Sequence, residues 1–137
     1  MRITFKDEYY LFEDTKNLYS NRKYKSQVHN VFKKYTFKEY SVEFYRGITN
    51  KIIHIFIYNK DEIIGIVEAK KERDYIEMYS ASILPEHQRK GIYTSVISYL
   101  RKFDVCRSDS LQTEKSENTW IKLGAKKIGS HYYLNRV

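Results

Sequence analysis

The clearest hydrophobic pattern lies in the middle of the chain, where three apolar runs are separated by short polar turns. Residues 51–58 are rich in Ile and Phe and predict a strand. Residues 59–61 are typical of a turn, and 62–70 predict a second strand that forms a hairpin with the first. After a charged turn, residues 75–84 predict a third strand, which ends at Pro85. The middle of the chain is therefore expected to form three neighbouring strands.

The hydrophobic period becomes helical after Gly91. Apolar positions then recur at helical spacing on one face, at Ile92, Val96, Tyr99, Leu100 and Phe103. The remaining sequence predicts a short strand, a helix and two final strands, at 108–112, up to Leu123, at 126–130 and at 132–137. Gly124 suits the left-handed position that often follows a helix. This order of elements, with a strand–loop–helix unit at its centre, indicates a mixed α/β domain.

The first part of the chain has weaker patterns. Alternating apolar residues predict a short strand over 2–6, and Asp7 could cap a helix over roughly 8–20. A second helical stripe is predicted because the apolar spacing follows the helical period, at Tyr24, Val28, Val31, Phe32 and Tyr35. Residues 40–46 alternate only weakly.

Length and composition indicate one folded domain over residues 1–137, since 42% of the residues are hydrophobic and no segment resembles a linker or a repeat. The longest apolar run, residues 52–58, is the length of a strand and too short to cross a bilayer. The single cysteine, Cys106, excludes an internal disulfide, and the first six residues lack the apolar stretch of a signal peptide. We therefore expect a cytoplasmic protein without a membrane partner.

The net charge is +8 and the pI is about 9.4. Such a charge can favour nucleic acid, membrane surfaces or phosphorylated ligands. A chain encoded by an AT-biased genome is also rich in Lys, Ile, Tyr and Asn, and the 14 Tyr and single Pro agree with that explanation. Charge alone therefore does not select a partner.

The segment from Ile83 to Tyr93 leaves a predicted strand, turns and opens a predicted helix. The first turn of a helix presents backbone N–H groups without helical partners, at the positive end of the helix dipole, where a diphosphate can bind. Gly91 allows the backbone to approach a ligand closely, and Arg89 and Lys90 add two positive charges. These residue types in this order indicate a phosphate-binding loop.

This segment resembles the coenzyme A loop of the GCN5-related N-acetyltransferase (GNAT) family, in which Arg or Gln is followed by two residues, Gly, one residue, and Gly or Ala. Gln88 and Gly91 match this motif, whereas Tyr93 fills the second small position. Pro85 stands where the family often has a Pro. Residues 120–125 resemble the late segment of the family, with an aromatic residue four before a Gly, and the resemblance covers roughly residues 52–134.

The resemblance implies a single mixed, mostly antiparallel twisted sheet flanked by helices. It implies acetyl-CoA as the donor substrate, bound by the loop and the start of the next helix, at Gln88, Arg89, Lys90, Gly91, Ile92 and Tyr93. The family also separates two strands beside this loop, where backbone amides near Ile83 would bond the pantetheine arm and polarise the thioester. Trp120 is expected either in the core or against the pantetheine arm.

The resemblance also provides a candidate general base. In histone-type members, a Glu on the strand before the loop accepts a proton, often through water, and it lies eleven residues before the Gln of the motif. That position is Glu77, eleven residues before Gln88. On a regular strand Glu77 would share a face with Tyr79 and Ala81. Glu68 on the neighbouring predicted strand is the reserve candidate.

The family usually places a Tyr in the late helix, where it meets the leaving thiolate. Trp120 stands at that position, and an indole N–H cannot deliver a proton at useful pH. Because coenzyme A thiolate is a fair leaving group, positioning and a polarised carbonyl can suffice. Tyr132 is otherwise the candidate phenol, with Tyr133 beside it on the last predicted strand. The four His are too dispersed along the chain to indicate a metal site.

Three functions follow from these residues and the resemblance. The first is an N-acetyltransferase that acts on an amine of a protein or a small molecule of unknown identity. The second is a weakly active or inactive module that binds coenzyme A, because Tyr93 and Trp120 depart from the family pattern. The third, less favoured, is acetylation of an amine carried by RNA, such as an aminoacyl-tRNA, which the +8 charge motivates. A homodimer is left open, as many members of the family are dimers.

Overall fold

The structure is a computed structural model that describes residues 28–47, 51–110 and 114–137. Within these ranges it contains eight strands, namely β1 (Val28–Phe37), β2 (Tyr40–Gly47), β3 (Ile52–Asn59), β4 (Glu62–Lys71), β5 (Ile76–Ile83), β6 (Cys106–Ser108), β7 (Lys126–Ile128) and β8 (His131–Leu134). Two α-helices accompany them, α1 (Ile92–Leu100) and α2 (Glu114–Lys122), and a 3-10 turn covers Pro85–His87.

All eight described strands belong to one sheet, in the order β1-β2-β3-β4-β5-β6-β8-β7. Neighbouring strands are antiparallel except for β5 and β6, which are parallel and are connected through α1. This is the mixed, mostly antiparallel sheet with helices that the sequence predicts. The three strands predicted over residues 51–84 are β3, β4 and β5, which form a meander with β1 and β2.

The helix predicted at the stripe from Tyr24 to Tyr35 is wrong for the residues that the structure describes, because these belong to β1. Tyr35 pairs with Val42, and Phe37 pairs with Tyr40, across an antiparallel ladder with β2. Pairing with β2 therefore overrides the helical spacing of the apolar side chains. The strand predicted over 2–6 and the helix predicted over 8–20 lie outside the described residues.

One face of the sheet carries the main hydrophobic core, because alternate residues of the strands point to it and both described helices supply its other half. Its fully buried members include Ile55, Val67, Val96 and Trp120. Gly124, which follows α2, has a φ of 85°, as predicted for the left-handed position after that helix. Among the described residues, none of the helices has the length and apolar character that crossing a membrane requires.

Candidate functional site

The loop between β5 and α1 has a defined conformation that its own polar groups stabilise. Gln88 is extended, with a φ of −74° and a ψ of 161°, and its side-chain Nε2 donates to the carbonyl oxygen of Ile83 at 2.9 Å. The carbonyl of Gly91 accepts from the amide of Ser95 at 2.9 Å, which begins the helical hydrogen bonding of α1. Gln88 and Ile83 therefore fix the shape of the loop through this hydrogen bond.

The exposed part of the loop presents two cations and a left-handed backbone. Arg89, Lys90 and Gly91 are exposed, and the φ values of Arg89 and Gly91 are 61° and 80°. A Cβ on Gly91 would meet only the ring of Phe37, at 3.6 Å, so the conformation rather than crowding is what requires glycine there. A non-glycine residue held at a positive φ, such as Arg89, is a feature that clusters at binding sites.

The first turn of α1 follows Gly91 directly, so its backbone N–H groups, which have no partner within the helix, lie beside the two cations. Ile92 is buried, which leaves its main chain as the part that can meet a ligand. The Tyr93 side chain packs against the core. Burial raises the pKa of Tyr93, whereas the nearby polar groups of Ser116 and Trp120 of α2 act in the opposite direction. The bulky residue at the second small position of the motif is thus directed towards α2.

Strands β5 and β6 are paired only at one end. Ile76, Glu77 and Met78 pair with Cys106, Arg107 and Ser108, and β6 ends there, whereas β5 continues to Ile83. The last five residues of β5 therefore extend beyond the described pairing with β6, towards the loop. This is the kind of strand separation that the resemblance predicts beside the coenzyme A loop.

A β-bulge lies in the middle of β5. Ala69 of β4 pairs with Met78, whereas the preceding Glu68 pairs with Ser80, so Tyr79 is an extra residue on β5. In a bulge of this kind the extra residue is left out of the ladder, and the strand bends. The bulge therefore stands where β5 leaves β6.

The bulge also changes which side chains share a face. Glu77 lies on the same face as Ser80 and Ser82, whereas Ala81 packs with the core on the opposite face. The prediction that Glu77 shares a face with Ala81 is wrong, because the alternation along β5 is interrupted at Tyr79. Glu77 therefore belongs to the sheet face that lies opposite the core helices.

Glu77 is held by Arg107, its register partner on β6. The Nε of Arg107 donates to Oε1 of Glu77 at 2.9 Å, and Nη2 contacts the same oxygen. Nη1 donates to the hydroxyl of Tyr133 at 3.4 Å, and the guanidinium carbon lies 4.1 Å from the ring centre of Tyr75. Burial disfavours the charge of Arg107, but the hydrogen bonds with Tyr133 and Glu77 outweigh it and raise the pKa of the guanidinium.

The sequence reasoning missed Arg107, because its place beside Glu77 results from the parallel pairing of two strands thirty residues apart. It also selected Tyr132 rather than Tyr133 as the phenol to consider. The structure places Tyr132 in the core, 6% exposed, whereas Tyr133 lies on the face of Glu77. Tyr132 and Glu77 are therefore not brought together.

A second polar group lies beside the bulge on the face of Glu77. Glu68, the reserve candidate, pairs with Ser80 on one side and with His54 of β3 on the other. His54 is only 8% exposed. Burial lowers the pKa of His54, and the neighbouring Glu68 acts in the opposite direction. At neutral pH His54 is therefore a neutral imidazole beside a carboxylate.

Within the described residues, no three His, Cys, Asp or Glu side chains form a group suited to a metal ion.

The buried state of His54 predicts an acid-sensitive contribution to stability. Above the ordinary pKa of 6.5 both the folded and unfolded chains hold it neutral. As the pH falls below this value the unfolded chain binds the proton first, so stability is lost at up to ~1.4 kcal/mol per pH unit until the folded imidazole also titrates. The neighbouring groups on this face are Glu68 and Lys70 of β4, with Glu43 of β2 across the register.

The comparison of wild type with His54→Gln isolates this contribution, because the other groups titrate in both proteins. Urea unfolding at pH 7.5 and at pH 5.5 should show a larger loss of unfolding free energy for the wild type. Equal losses in the two proteins would contradict the proposed protonation state of His54.

Trp120 is completely buried in the core cluster, at the position where the family usually has a Tyr. Its indole Nε1 has no hydrogen-bond partner of good geometry among the described residues, although the hydroxyl of Tyr93 lies near enough to be affected by it. Trp120 therefore packs in the core.

Comparisons with known proteins bear on the family and the fold of this chain. The family described as Acetyltransferase (GNAT) family matches residues 12–120. PaiA N-acetyltransferase from Thermoplasma acidophilum, solved in complex with coenzyme A, has a similar fold, with a TM-score of 0.52 and 19% identity over 64% of this chain and 62% of that chain. The match thus spans less than two thirds of the length of that protein.

The ribosomal-protein-S18-alanine N-acetyltransferase from Escherichia coli is a more distant neighbour, with a TM-score of 0.47 and 10% identity over 57% of this chain and 55% of that chain. No curated protein has a significant sequence match. The 19% identity with PaiA shows a shared fold alone, whereas the family match extends over most of the chain and includes the strands β3 to β6 and the loop. The chain therefore belongs to the GNAT acetyltransferase family.

Proposed function

We propose that this protein transfers an acetyl group from acetyl-CoA to an amine of a protein or a small molecule. The observation that carries the proposal is the loop from Gln88 to Gly91, with two exposed cations at the start of α1. Beside it lies the part of β5 that extends beyond the described pairing with β6, which is called the gap between these strands below. A helix start with adjacent cations suits a diphosphate, and the gap suits an extended chain attached to it. Membership of the family supports the same assignment.

The proposed donor contacts divide into main-chain and side-chain groups. Arg89 and Lys90 would neutralise phosphate charge, and the amides of Gly91, Ile92 and Tyr93 would donate to the phosphate oxygens. Gln88 would act by holding the loop closed through the carbonyl of Ile83, and backbone groups near Ile83 would meet the pantetheine arm. Trp120 would shape the gap from the core side. None of these contacts needs the hydroxyl of Tyr93.

The proposed reaction is direct attack of a neutral amine on the thioester carbonyl, in which the C–N bond forms, the C–S bond breaks and coenzyme A leaves as its thiolate. We propose Glu77 as the base that takes the proton from the amine. Because Arg107 holds Oε1 through two contacts, Oε2 is the oxygen that would accept this proton. Arg107 would then act as a positioning residue, since its two contacts fix the plane of the carboxylate.

A second candidate function is a module that binds coenzyme A without efficient transfer. It is favoured by one observation, that Trp120 is fully buried where the family usually offers a phenol to the leaving thiolate. Tyr132 does not replace that phenol on the face of Glu77, because its ring lies in the core. In this case the donor would bind normally, and the acetyl group would stay on it.

One experiment separates the two functions and tests donor binding. Millimolar acetyl-CoA should raise the Tm of the protein, because a ligand that binds only the folded chain adds RT ln(1 + [L]/Kd) to its stability. Labelled acetyl-CoA should then acetylate a mixture of polyamines, peptides and lysate proteins. An unchanged Tm would contradict the donor site, whereas a raised Tm with no transfer would favour the binding module.

A further inference from the structure

The turn between β1 and β2 packs directly against the loop that precedes α1. The Nζ of Lys38 donates to the carbonyl oxygen of Lys90 at 3.0 Å. The hydroxyl of Tyr40 and Nδ1 of His87 lie 2.9 Å apart, with the two rings edge to face at 5.5 Å between centres. This turn therefore contacts the loop at two separate residues, although about fifty residues of sequence lie between them.

The contact brings a third cation to the exposed side of the loop. Lys38, Arg89 and Lys90 are all exposed, and the ammonium of Lys38 is anchored within hydrogen-bond distance of the Lys90 main chain. An ammonium has three N–H donors, and the carbonyl of Lys90 takes only one of them. The Lys38 ammonium is thus held beside the start of α1 with further capacity to donate to an anion.

Lys38 does not differ from Lys60, in the turn between β3 and β4, in its backbone conformation. Its φ is 53°, and Lys60 in the turn between β3 and β4 has nearly the same φ of 57° and is also exposed. Both turns therefore place a lysine at a left-handed position where glycine or asparagine is ordinarily favoured. The difference is the hydrogen bond from Lys38 to Lys90 in the loop.

We infer that Lys38 is a third cationic ligand for the phosphate groups of the donor, so that the turn between β1 and β2 forms part of the donor site. The inference rests on the proposed function and adds to it a residue that lies fifty positions before the loop and outside the family motif. Acetyl-CoA carries a diphosphate and a separate ribose phosphate, so a third cation has a charge to neutralise. Charge-assisted hydrogen bonds of an ammonium to phosphate are about twice as strong as neutral ones.

A carboxylate in the same turn opposes this effect. Glu39 is fully exposed, and its pKa is lowered by a hydrogen bond with its own backbone, with further lowering by Tyr40 and by the charges of Lys90 and Lys38. Glu39 is therefore ionised at neutral pH, near the same cations. Removing the charge of Glu39 should raise the affinity for an anionic ligand. A Glu39 variant should therefore change the Kd in the opposite direction from a Lys38 variant.

The test measures the Kd of acetyl-CoA by calorimetry for the whole chain and four variants, at low and at high salt. Lys38→Met should weaken binding about tenfold at low salt and much less at high salt, because salt screens exposed charges. Lys38→Arg should restore most of the affinity, and Glu39→Gln should tighten binding about two- to threefold. The matched control Lys60→Met removes one charge from the equivalent turn and should change Kd less than about twofold.

The outcomes separate the inference from the proposed function. Equal Kd values for wild type, Lys38→Met and Lys60→Met would overturn the role of Lys38 and leave the donor site intact. If Lys38→Met loses the same affinity for acetyl-CoA at both salt concentrations and Lys38→Arg does not restore it, Lys38 only supports the loop. That result would also overturn the role of Lys38 as a phosphate ligand. Absence of binding by the wild type would overturn the proposed function together with the inference. The Tm of each variant without ligand verifies folding.

Discussion

Replacing Gly91 with glutamate is expected to abolish the rise in Tm that acetyl-CoA causes. The substitution puts a carboxylate between Arg89, Lys90 and the start of α1, where the donor phosphates are proposed to bind. Two like charges about 4 Å apart near a protein surface repel by roughly 1–4 kcal/mol, which lowers affinity by about five- to 700-fold, and both cations are then partly neutralised as well. The backbone of the new glutamate must also adopt the φ of 80° that glycine tolerates.

The matched control for this change is Gly124→Glu. Gly124 has a φ of 85°, and nothing lies within 4 Å of a Cβ added there, so the substitution imposes a similar backbone cost after α2 instead of before α1. Both variants should lose about 1–3 kcal/mol of stability from the left-handed conformation. Only Gly91→Glu should lose the response to acetyl-CoA, and a normal Tm rise in that variant would contradict the proposed donor site.

Replacing Glu77 with glutamine is expected to lower kcat by about 10²- to 10⁴-fold, the usual contribution of a general base. Glutamine keeps an oxygen that can accept from Arg107, but it cannot take a proton from the amine. The Kd of acetyl-CoA should not change, because Glu77 is not among the proposed phosphate contacts. Steady-state acetylation with a saturating amine, together with calorimetry for the donor, measures the two quantities separately.

Glu68→Gln is the control that tests the alternative base. Glu68 lies one strand away on the same face, beside His54, and it carries the same charge. If Glu77 is the base, Glu68→Gln should retain most of the wild-type kcat. A variant Glu77→Gln that stays fully active while Glu68→Gln fails would transfer the role to the pair of Glu68 and His54.

Local signals in the sequence were sufficient to predict β3, β4, β5, the loop and α1. The strands are uninterrupted apolar runs with polar turns, and the loop is read from Gln88 and Gly91 together with the change to a helical period. The left-handed conformation of Gly124 was also predicted, because a glycine directly after a helix commonly adopts it. Each of these features depends on residues that are close together in the sequence.

The errors arise where the structure depends on how neighbouring strands pair, which the hydrophobic period of a single segment does not show. The apolar spacing up to Tyr35 fits a helix, but the ladder with β2 makes this segment a strand. The face of Glu77 was predicted wrongly because a bulge at Tyr79 interrupts the alternation of side chains between the two faces of the sheet. No residue type in β5 indicates a bulge.

The side-chain environment of the candidate base was equally hidden in the sequence. Arg107 meets Glu77 only through the parallel register of β5 and β6, which follows from the path of the chain through α1. Tyr132 and Tyr133 differ in role because adjacent residues of a strand point to opposite faces, and the sequence does not show which face is the core.

The sheet order also bears on how the chain assembles. Strands β1 to β5 follow one another both along the chain and across the sheet, so they can pair by closing short loops. The junction of β5 with β6 is different, because the loop and α1 lie between these strands and the segment that must close is longer. Nearby segments generally pair earlier than distant ones. The proposed donor site lies at this junction, so a donor bound there would hold the two parts of the sheet together and slow their separation during unfolding.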